Sequence, residues 1–261
     1  MDLSLKGKRA VVCGSTQGIG KGIAIELALL GADVLLFSRN EQKLKSTVAE
    51  LPTAQGQQHD YRIADFTYPE QVKAVISEYV KNHPVHILVN NTGGPPPGLA
   101  IDSSPELFVQ AFNSHLLCNQ ILVQACVPSM KKEGYGRIIN VISTSVKIPM
   151  RGLGVSNTIR GAVASWAKTL SVELGPFGIT VNNVLPGAIE TARHQAVVSS
   201  RAEKSGKTEE EVLKAMEMEI PLGRIGTIQE IGAAAAFLAT PAAGYISGIN
   251  VPVDGGRTGS L

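Results

Sequence analysis

Residues 9–20 read RAVVCGSTQGIG, a short apolar run followed by a loop with glycines at positions 14, 18 and 20. A helix-period apolar pattern follows directly from residue 19 to residue 30, and Gly31 is a typical C-terminal stop. Glycines in a strand–loop–helix unit permit a tight turn and let the backbone approach a pyrophosphate at the helix N-terminus. A plain glycine-rich turn is the alternative interpretation, but strand, loop and helix together favour a dinucleotide-binding βαβ unit.

The same alternation of strand-length apolar runs and helical segments continues along the whole chain of 261 residues. The predicted strands are 9–13, 33–37, 60–63, 87–90, 137–142, 180–185 and 250–253. Several are apolar nearly throughout, which is typical of parallel strands covered by helices on both faces. We therefore predict an α/β fold, a Rossmann-type doubly wound αβα sandwich with a seven-stranded parallel sheet, formed by residues 1–261 as a single domain.

One long segment, 191–220, contains no predicted strand. It is charged and holds a helical piece at 209–218. A segment of this length beyond a strand end in a compact domain predicts a lid over a binding site.

Composition argues against several classes of function. The formal net charge is +2 and the basic residues are dispersed, which disfavours nucleic acid as a partner. The N-terminus has no apolar signal core, and the most apolar stretch, 231–240, is too short to span a bilayer. Cysteines 13, 118 and 126 lack CxxC spacing and predict buried thiols in a reducing compartment, and no histidine has the neighbours of a metal site. We expect a cytoplasmic protein that binds a small molecule and no metal.

Six motifs in order resemble the short-chain dehydrogenase/reductase family, and the 3-oxoacyl carrier-protein reductases in particular. They are Gly-x-x-x-Gly-x-Gly at 14–20, Asp-Phe at 65–66, Asn-Asn-Thr-Gly at 90–93, the loop 186–191, Pro-Leu-Gly-Arg at 221–224 and Val-Asp-Gly-Gly at 253–256. The family signature at 90–93 is Asn-Asn-Ala-Gly, so Thr92 stands in the alanine position. The resemblance covers essentially the whole chain and implies a homotetramer packed through the long helices and the C-terminal strand region. It implies these cofactor-binding residues: Gly14, Ser15, Thr16, Gly18, Ile19, Gly20, Ser38, Arg39, Asp65, Phe66, Asn91, Gly93, Arg160, Pro186, Gly187, Ile189 and Thr191.

The end of the second strand distinguishes the two nicotinamide cofactors. NAD enzymes commonly place an acidic residue there for the ribose 2′-hydroxyl, whereas this chain has Ser38 and Arg39. Arg39 offers a permanently charged fork for a 2′-phosphate, so we predict NADP(H). A merely solvated Arg39 is the alternative, although a cation at the start of a helix opposes the helix dipole.

The catalytic positions depart from the family pattern, which has a tetrad of Asn, Ser, Tyr and Lys. Ser143 occupies the serine position, but the tyrosine position thirteen residues later is Ser156 and the lysine position is Arg160. The tetrad asparagine falls on His115, or on Asn113 if the alignment shifts by two residues. A serine hydroxyl lacks the acidity of a phenol, and arginine is a poor proton donor that can stabilise an oxyanion or hold the cofactor ribose.

Three hypotheses follow. The first is an NADP(H)-dependent oxidoreductase of carbonyl or alcohol substrates with another proton source: His115, whose ordinary pKa suits the task, or a water held by Ser143 and Ser156 beside Arg160. The second is an enzyme that clamps a substrate carboxylate or phosphate with Arg160. The third is a non-catalytic NADP(H)-binding protein with a sensing or assembly role. We favour an oxidoreductase.

Structural interpretations of the same residues remain open. His115 is equally well explained by packing, and Ser143 by bonding the backbone at a strand end. We expect a solvated His194, and a stiff loop at 93–98 that shapes the substrate cavity or simply connects two elements.

Overall fold

A computed structural model describes residues 1–260, and its centre is one parallel sheet. The strand order is β3-β2-β1-β4-β5-β6-β7. This arrangement confirms the predicted fold class, and each predicted strand is present to within one residue at either end. The strands are β1 Arg9–Cys13, β2 Asp33–Ser38, β3 Asp60–Ile63, β4 Ile87–Asn90, β5 Gly136–Val141, β6 Ile179–Pro186 and β7 Asn250–Val253.

Helices cover both faces of the sheet. They are α1 Gly18–Leu29, α2 Glu41–Glu50, α3 Pro69–Val80, α4 Pro105–Phe112, α5 Cys118–Glu133, α6 Gly154–Leu174, α7 Ala192–Ser205, α8 Glu209–Met218 and α9 Ile228–Ala239. Within residues 1–260, none of them has the length and apolar character needed to cross a bilayer.

The side chains of β1 show why its sequence is apolar without alternation. Ala10 and Val12 pack into the core formed with α1 and α9, whereas Val11 and Cys13 pack into the core on the opposite face. Successive side chains of a strand point to opposite faces, so a strand covered on both sides needs apolar residues at every position.

A ladder of asparagine side chains ties the central sheet to its edge. The Nδ2 of Asn90 donates to Oδ1 of Asn140 at 2.8 Å, Asn140 donates to Asn183 at 2.9 Å, and Asn183 donates to Asn250 at 2.8 Å. These residues are register partners on β4, β5, β6 and β7. Because each amide satisfies its neighbour, the ladder places buried polar groups in the core and locks the relative register of four strands.

Two helical segments position the site. A helical stretch runs from Pro105 to Glu133, but a π-helical turn at Asn113–Leu117 separates α4 from α5. In the predicted lid, the helical piece at 209–218 is α8, and α7 is a second helix that the sequence analysis did not predict. Side chains of α7 and α8 form a small apolar cluster of their own.

Candidate active site

The loop between β1 and α1 opens the candidate site at the carboxyl ends of β1 and β4, where the strand order reverses direction. Gly14 and Gly18 adopt positive φ angles of 57° and 53°, which other residues rarely do. Gln17 precedes α1 without a side-chain cap, because its Oε1 accepts instead from Nζ of Lys43 at 3.2 Å. The first N–H groups of α1 are therefore left without a capping side chain.

Asn91 holds this loop against the end of β4. Its Nδ2 donates to the carbonyl oxygens of Cys13 and Gly14, each at 3.2 Å. A Cβ on Gly14 would lie 2.5 Å from the Asn91 carbonyl oxygen, and one on Gly20 would lie 2.2 Å from the Gly14 carbonyl oxygen. The first and third glycines are thus required by close backbone packing within the protein.

Two other residues of the loop face inward. Ser15 is fully buried and its Oγ has no hydrogen-bond partner among residues 1–260. Ile19 packs against the apolar core beside α1. Thr16 faces the next strand, where its Oγ1 lies 3.4 Å from Oγ of Ser38.

Arg39 follows Ser38 at the end of β2 and is exposed, with no ion pair to any described residue. Asp65 lies close enough to Arg39 for the positive charge of Arg39 to affect its pKa. Burial raises the pKa of Asp65, but hydrogen bonds from the backbone and hydroxyl of Thr67 and the charge of Arg39 outweigh it and leave the pKa below its usual value. Phe66 packs into the core, and its carbonyl oxygen accepts from Sγ of Cys118 at 3.4 Å.

The loop after β6 closes over the glycine loop. Gly187 donates its N–H to the carbonyl of Val253 at 3.0 Å, and Ile189 is buried in a bridge to Gly226. The hydroxyl of Thr191 caps α7 by accepting from the backbone N–H of His194. The methyl group of Thr191 also packs over Gly18, where an added Cβ would lie 3.3 Å from Cγ2 of Thr191. The loop that begins at Pro186 therefore meets the first glycine loop directly.

The two serines of the predicted catalytic group lie near the end of β5 and at the start of α6. Oγ of Ser143 accepts from the N–H of Ser145 at 3.1 Å, so the serine does cap the strand end, while its own hydroxyl proton stays available. Ser156 is buried on the first turn of α6, and its Oγ has no hydrogen bond to a described residue. Gly154, two residues earlier, packs against the backbone of Ala100, which pins α6 to the loop after β4.

Arg160 lies one turn beyond Ser156 and is 9% exposed. Its Nη1 donates to the carbonyl oxygen of Val141 at 2.9 Å and its Nη2 donates to that of Thr92 at 3.4 Å. No carboxylate among residues 1–260 forms an ion pair with it. Burial, and then the charge of Arg193, lower its pKa to about 10, which leaves it a cation at neutral pH.

The π-helical turn separates the two candidates for the asparagine position, His115 and Asn113. His115 is 2% exposed, and its Nδ1 lies 2.6 Å from Oγ1 of Thr92, the residue whose carbonyl also binds Arg160. Asn113 lies elsewhere, in a surface groove beside Thr67 and Glu106. Extra residues in a π turn rotate the helix face, and such turns are frequent at functional sites.

The electrostatics of His115 correct one prediction. Burial, followed by the charges of Arg160 and Arg193, lowers the pKa of this imidazole to about 2, against a smaller opposing effect of a hydrogen bond that the imidazole donates to the backbone of Gly93. The expectation that its ordinary pKa suits it for proton donation is therefore wrong. At neutral pH the ring is uncharged, and it serves as a hydrogen-bonding group.

Arg193 is a site residue that the sequence analysis missed. It lies in the first turn of α7, its Nη2 donates to the carbonyl of Pro95 at 3.4 Å, and its Nη1 would lie 2.6 Å from a Cβ on Gly94. The neighbouring His194 is not solvated as predicted: it is half-buried, and its Nε2 is buried without a partner. The sequence carries no local signal for the contacts of Arg193, because its partners at 94 and 95 lie almost a hundred residues earlier in the chain.

Comparisons with known proteins agree with this geometry. The family model described as enoyl-(acyl carrier protein) reductase matches residues 14–258. The short-chain reductase protein NovJ of Streptomyces niveus is 33% identical over 251 residues, which cover 95% of this chain and 93% of that protein. The chain belongs to the short-chain dehydrogenase/reductase family.

Two further relatives span nearly the full length of this family member. The 3-oxoacyl-[acyl-carrier-protein] reductase FabG of Pseudomonas aeruginosa is 32% identical over 259 residues, covering 97% of this chain and 98% of that one. The L-sorbose reductase of Gluconobacter frateurii, solved with NADPH and L-sorbose, superposes with a TM-score of 0.94 at 28% identity and complete coverage of both chains. The family match therefore includes the glycine loop, residues 143–160 and segment 191–220.

Proposed function

We propose that the chain is an NADP(H)-dependent oxidoreductase of carbonyl or alcohol substrates that takes its proton from a source other than tyrosine. One observation carries the proposal. Thr92, His115 and Arg160 differ from the family's Ala, Asn and Lys at the corresponding positions, and the three are joined by hydrogen bonds through Thr92. Residues that depart from the family pattern and also contact one another support an active site adapted to a different proton source more strongly than one that has lost its activity.

The residues present fit NADP(H). The uncapped N-terminus of α1 offers N–H groups to a pyrophosphate, and the buried, unpartnered Oγ of Ser15 lies in the same loop. The free guanidinium of Arg39 and the ammonium of Lys43 supply positive charge for a 2′-phosphate. The NADPH in the L-sorbose reductase structure supports the same assignment. When bound, the cofactor supplies the hydride for carbonyl reduction.

Arg160 stabilises the charge that develops on the substrate oxygen. Its guanidinium is held by the carbonyls of Val141 and Thr92, so it is oriented before substrate arrives. A preoriented cation in a water-poor site acts on a developing alkoxide without reorganisation. With two N–H groups committed to carbonyls, its other donors remain for ligands.

The proton reaches the alkoxide oxygen from a water molecule between Ser143 and Ser156. Both hydroxyls keep donor capacity, because Ser143 only accepts from the backbone and Ser156 has no partner among the described residues. The hydroxide left behind is stabilised by Arg160 until solvent protonates it. Neutral His115, anchored by Thr92, orients the substrate carbonyl as a hydrogen-bonding group.

We extend the proposal to the assembly and the lid. Segment 191–220 moves as a lid, supported by the separate apolar cluster that joins α7 to α8. A homotetramer is supported by an apolar groove between α5 and α6 that Val123, Val127 and Leu174 line. The three free, buried cysteines fit a reducing, cytoplasmic compartment.

NADPH oxidation with a panel of ketones, oxoacyl thioesters and oxo acids tests the proposal. We expect turnover of at least one class, and we expect Arg160→Ala to lower kcat/KM by about 10²–10³, the effect of losing an oxyanion donor. The Ser156→Tyr/Arg160→Lys double variant restores the family residues and should raise carbonyl reduction. Tight NADPH binding without any turnover, in the wild type and in this variant, would favour the non-catalytic binding protein instead.

A further inference from the structure

We propose that the site is built for a substrate that carries a carboxylate, and that Arg160 and Arg193 together bind this group. The inference rests on the proposed oxidoreductase function and names its substrate class as oxo acids and the corresponding hydroxy acids. It also assigns Arg193, on the lid, as the residue that determines this specificity.

Both guanidinium groups are held by the same short segment of chain. Arg160 donates to the carbonyl of Thr92, and Arg193 donates to the carbonyl of Pro95, each at 3.4 Å. Between these carbonyls lies Gly94, where any side chain would collide with Arg193, because Nη1 would be 2.6 Å from its Cβ. Segment 92–95 thus holds one guanidinium from α6 and another from α7.

Neither cation has an anionic partner in the part of the chain that the structure describes. Arg160 is buried with only carbonyl acceptors, which orient a guanidinium but leave its charge uncompensated. Arg193 lies in the first turn of α7, where the positive end of the helix dipole makes a cation unfavourable. A buried cation without a counter-charge is costly, so an anion that arrives with a ligand would relieve this cost at Arg160 and the unfavourable interaction with the helix dipole at Arg193.

The two charges also act on one another across the pocket. After burial, Arg193 is the next cause of the lowered pKa of Arg160, and both lower the pKa of His115. Arg193 is exposed whereas Arg160 is buried, so a ligand approaching from solvent meets Arg193 first and then reaches Arg160. This order suits a lid residue that binds the carboxylate as the lid closes.

A carboxylate fits this pair better than a cofactor phosphate does. The planar fork of arginine matches two carboxylate oxygens, and Arg160 lies one turn from Ser156 and shares Thr92 with His115. The cofactor phosphates have their own donors at the start of α1, and the contacts of Arg193 are with residues 94 and 95 rather than with the glycine loop.

Matched acids and methyl esters test the assignment. The substrates are 2-oxopentanoate, 3-oxopentanoate and 4-oxopentanoate, each compared with its methyl ester by NADPH oxidation, in the wild type and in Arg193→Gln. We expect at least one acid to exceed its ester in kcat/KM, and Arg193→Gln to reduce this acid-to-ester ratio by about 10- to 150-fold, the range for a hydrogen bond to a charged group. Arg201→Gln, two turns further along α7, is the matched control and should keep the wild-type ratio.

Two binding measurements separate this inference from the proposed function. Calorimetric titration of the NADP⁺-loaded protein with pentanoate, which cannot react, should show binding that Arg193→Gln weakens about tenfold or more, even if no substrate turns over. The Kd for NADPH should change less than threefold in Arg193→Gln. An acid-to-ester ratio and a pentanoate Kd unaffected by Arg193→Gln overturn the carboxylate site, as does a large loss of NADPH affinity, which would assign Arg193 to the cofactor.

Discussion

The titration of His115 makes the free energy of unfolding depend on pH, and the substitution His115→Asn should remove this contribution. In the folded chain burial and two arginines lower its pKa to about 2, whereas an exposed histidine in the unfolded chain titrates near 6.5. Below pH 6.5 the unfolded chain therefore binds a proton at this position that the folded chain does not. Protonation favours unfolding, so the stability is fully present above pH 6.5 and is lost as the pH falls toward 2.

The magnitude follows from the two pKa values. Between pH 7 and pH 5 this one residue lowers the free energy of unfolding by about 1.9 kcal/mol, and any folded pKa below about 4 gives nearly the same value. His115→Asn removes the titration and keeps a side chain that can bond Thr92. The loss in the free energy of unfolding between pH 7 and pH 5 should therefore be about 1.9 kcal/mol smaller in His115→Asn than in the wild type.

Urea unfolding of the cofactor-free protein, followed by the fluorescence of its single tryptophan, Trp166, measures this difference. His83→Gln, which removes an imidazole stacked on Tyr79 away from the site, serves as the control and keeps the contribution of His115. The wild type and His115→Asn could instead lose the same free energy of unfolding between pH 7 and pH 5, to within about 0.5 kcal/mol. That result would refute the conclusion that the imidazole of His115 is buried and neutral.

Three further outcomes are expected. Arg39→Ala should raise the Kd for NADPH by about 10- to 150-fold and leave that for NADH nearly unchanged, measured by fluorescence titration; equal losses for both cofactors would refute the 2′-phosphate role. Thr92→Val removes the hydroxyl that bonds His115 and should lower kcat at least tenfold, with recovery in Thr92→Ser; no recovery would assign the loss to packing. Asn140→Leu leaves the facing amide groups of Asn90 and Asn183 unpaired and should cost about 2–6 kcal/mol in urea unfolding, whereas a loss below about 1 kcal/mol would show that the ladder contributes little.

Part of the architecture is encoded locally and can be predicted from the sequence. Strand β1 is apolar from residue 10 to residue 13, and the loop at 13–20 has glycines where positive φ or close packing is needed, so both are visible within a few residues. The same holds for Ser156 and Arg160, whose spacing of four places them on one helix face. Arg39 was likewise predictable, because its position at a strand end follows from counting residues.

Other features depend on residues that are distant in sequence and meet only in the folded chain. Arg193 reaches a carbonyl 98 residues earlier in the chain, and no local pattern marks that contact. The separation of His115, which is buried beside Thr92, from Asn113, which lines a surface groove, depends on a π turn that has no sequence signal of its own.

The pKa of His115 shows most clearly which properties follow from residue identity and which require the folded chain. Counting residues along the chain predicts an arginine at the lysine position of the family pattern and either His115 or Asn113 at the asparagine position. The burial of the His115 ring and the nearby charges of two guanidinium groups are visible only in the folded chain, and they make a candidate acid a neutral hydrogen-bonding group. The reason is physical: residue identity sets the intrinsic proton affinity, whereas desolvation and charge act through space and exist only once the chain has folded.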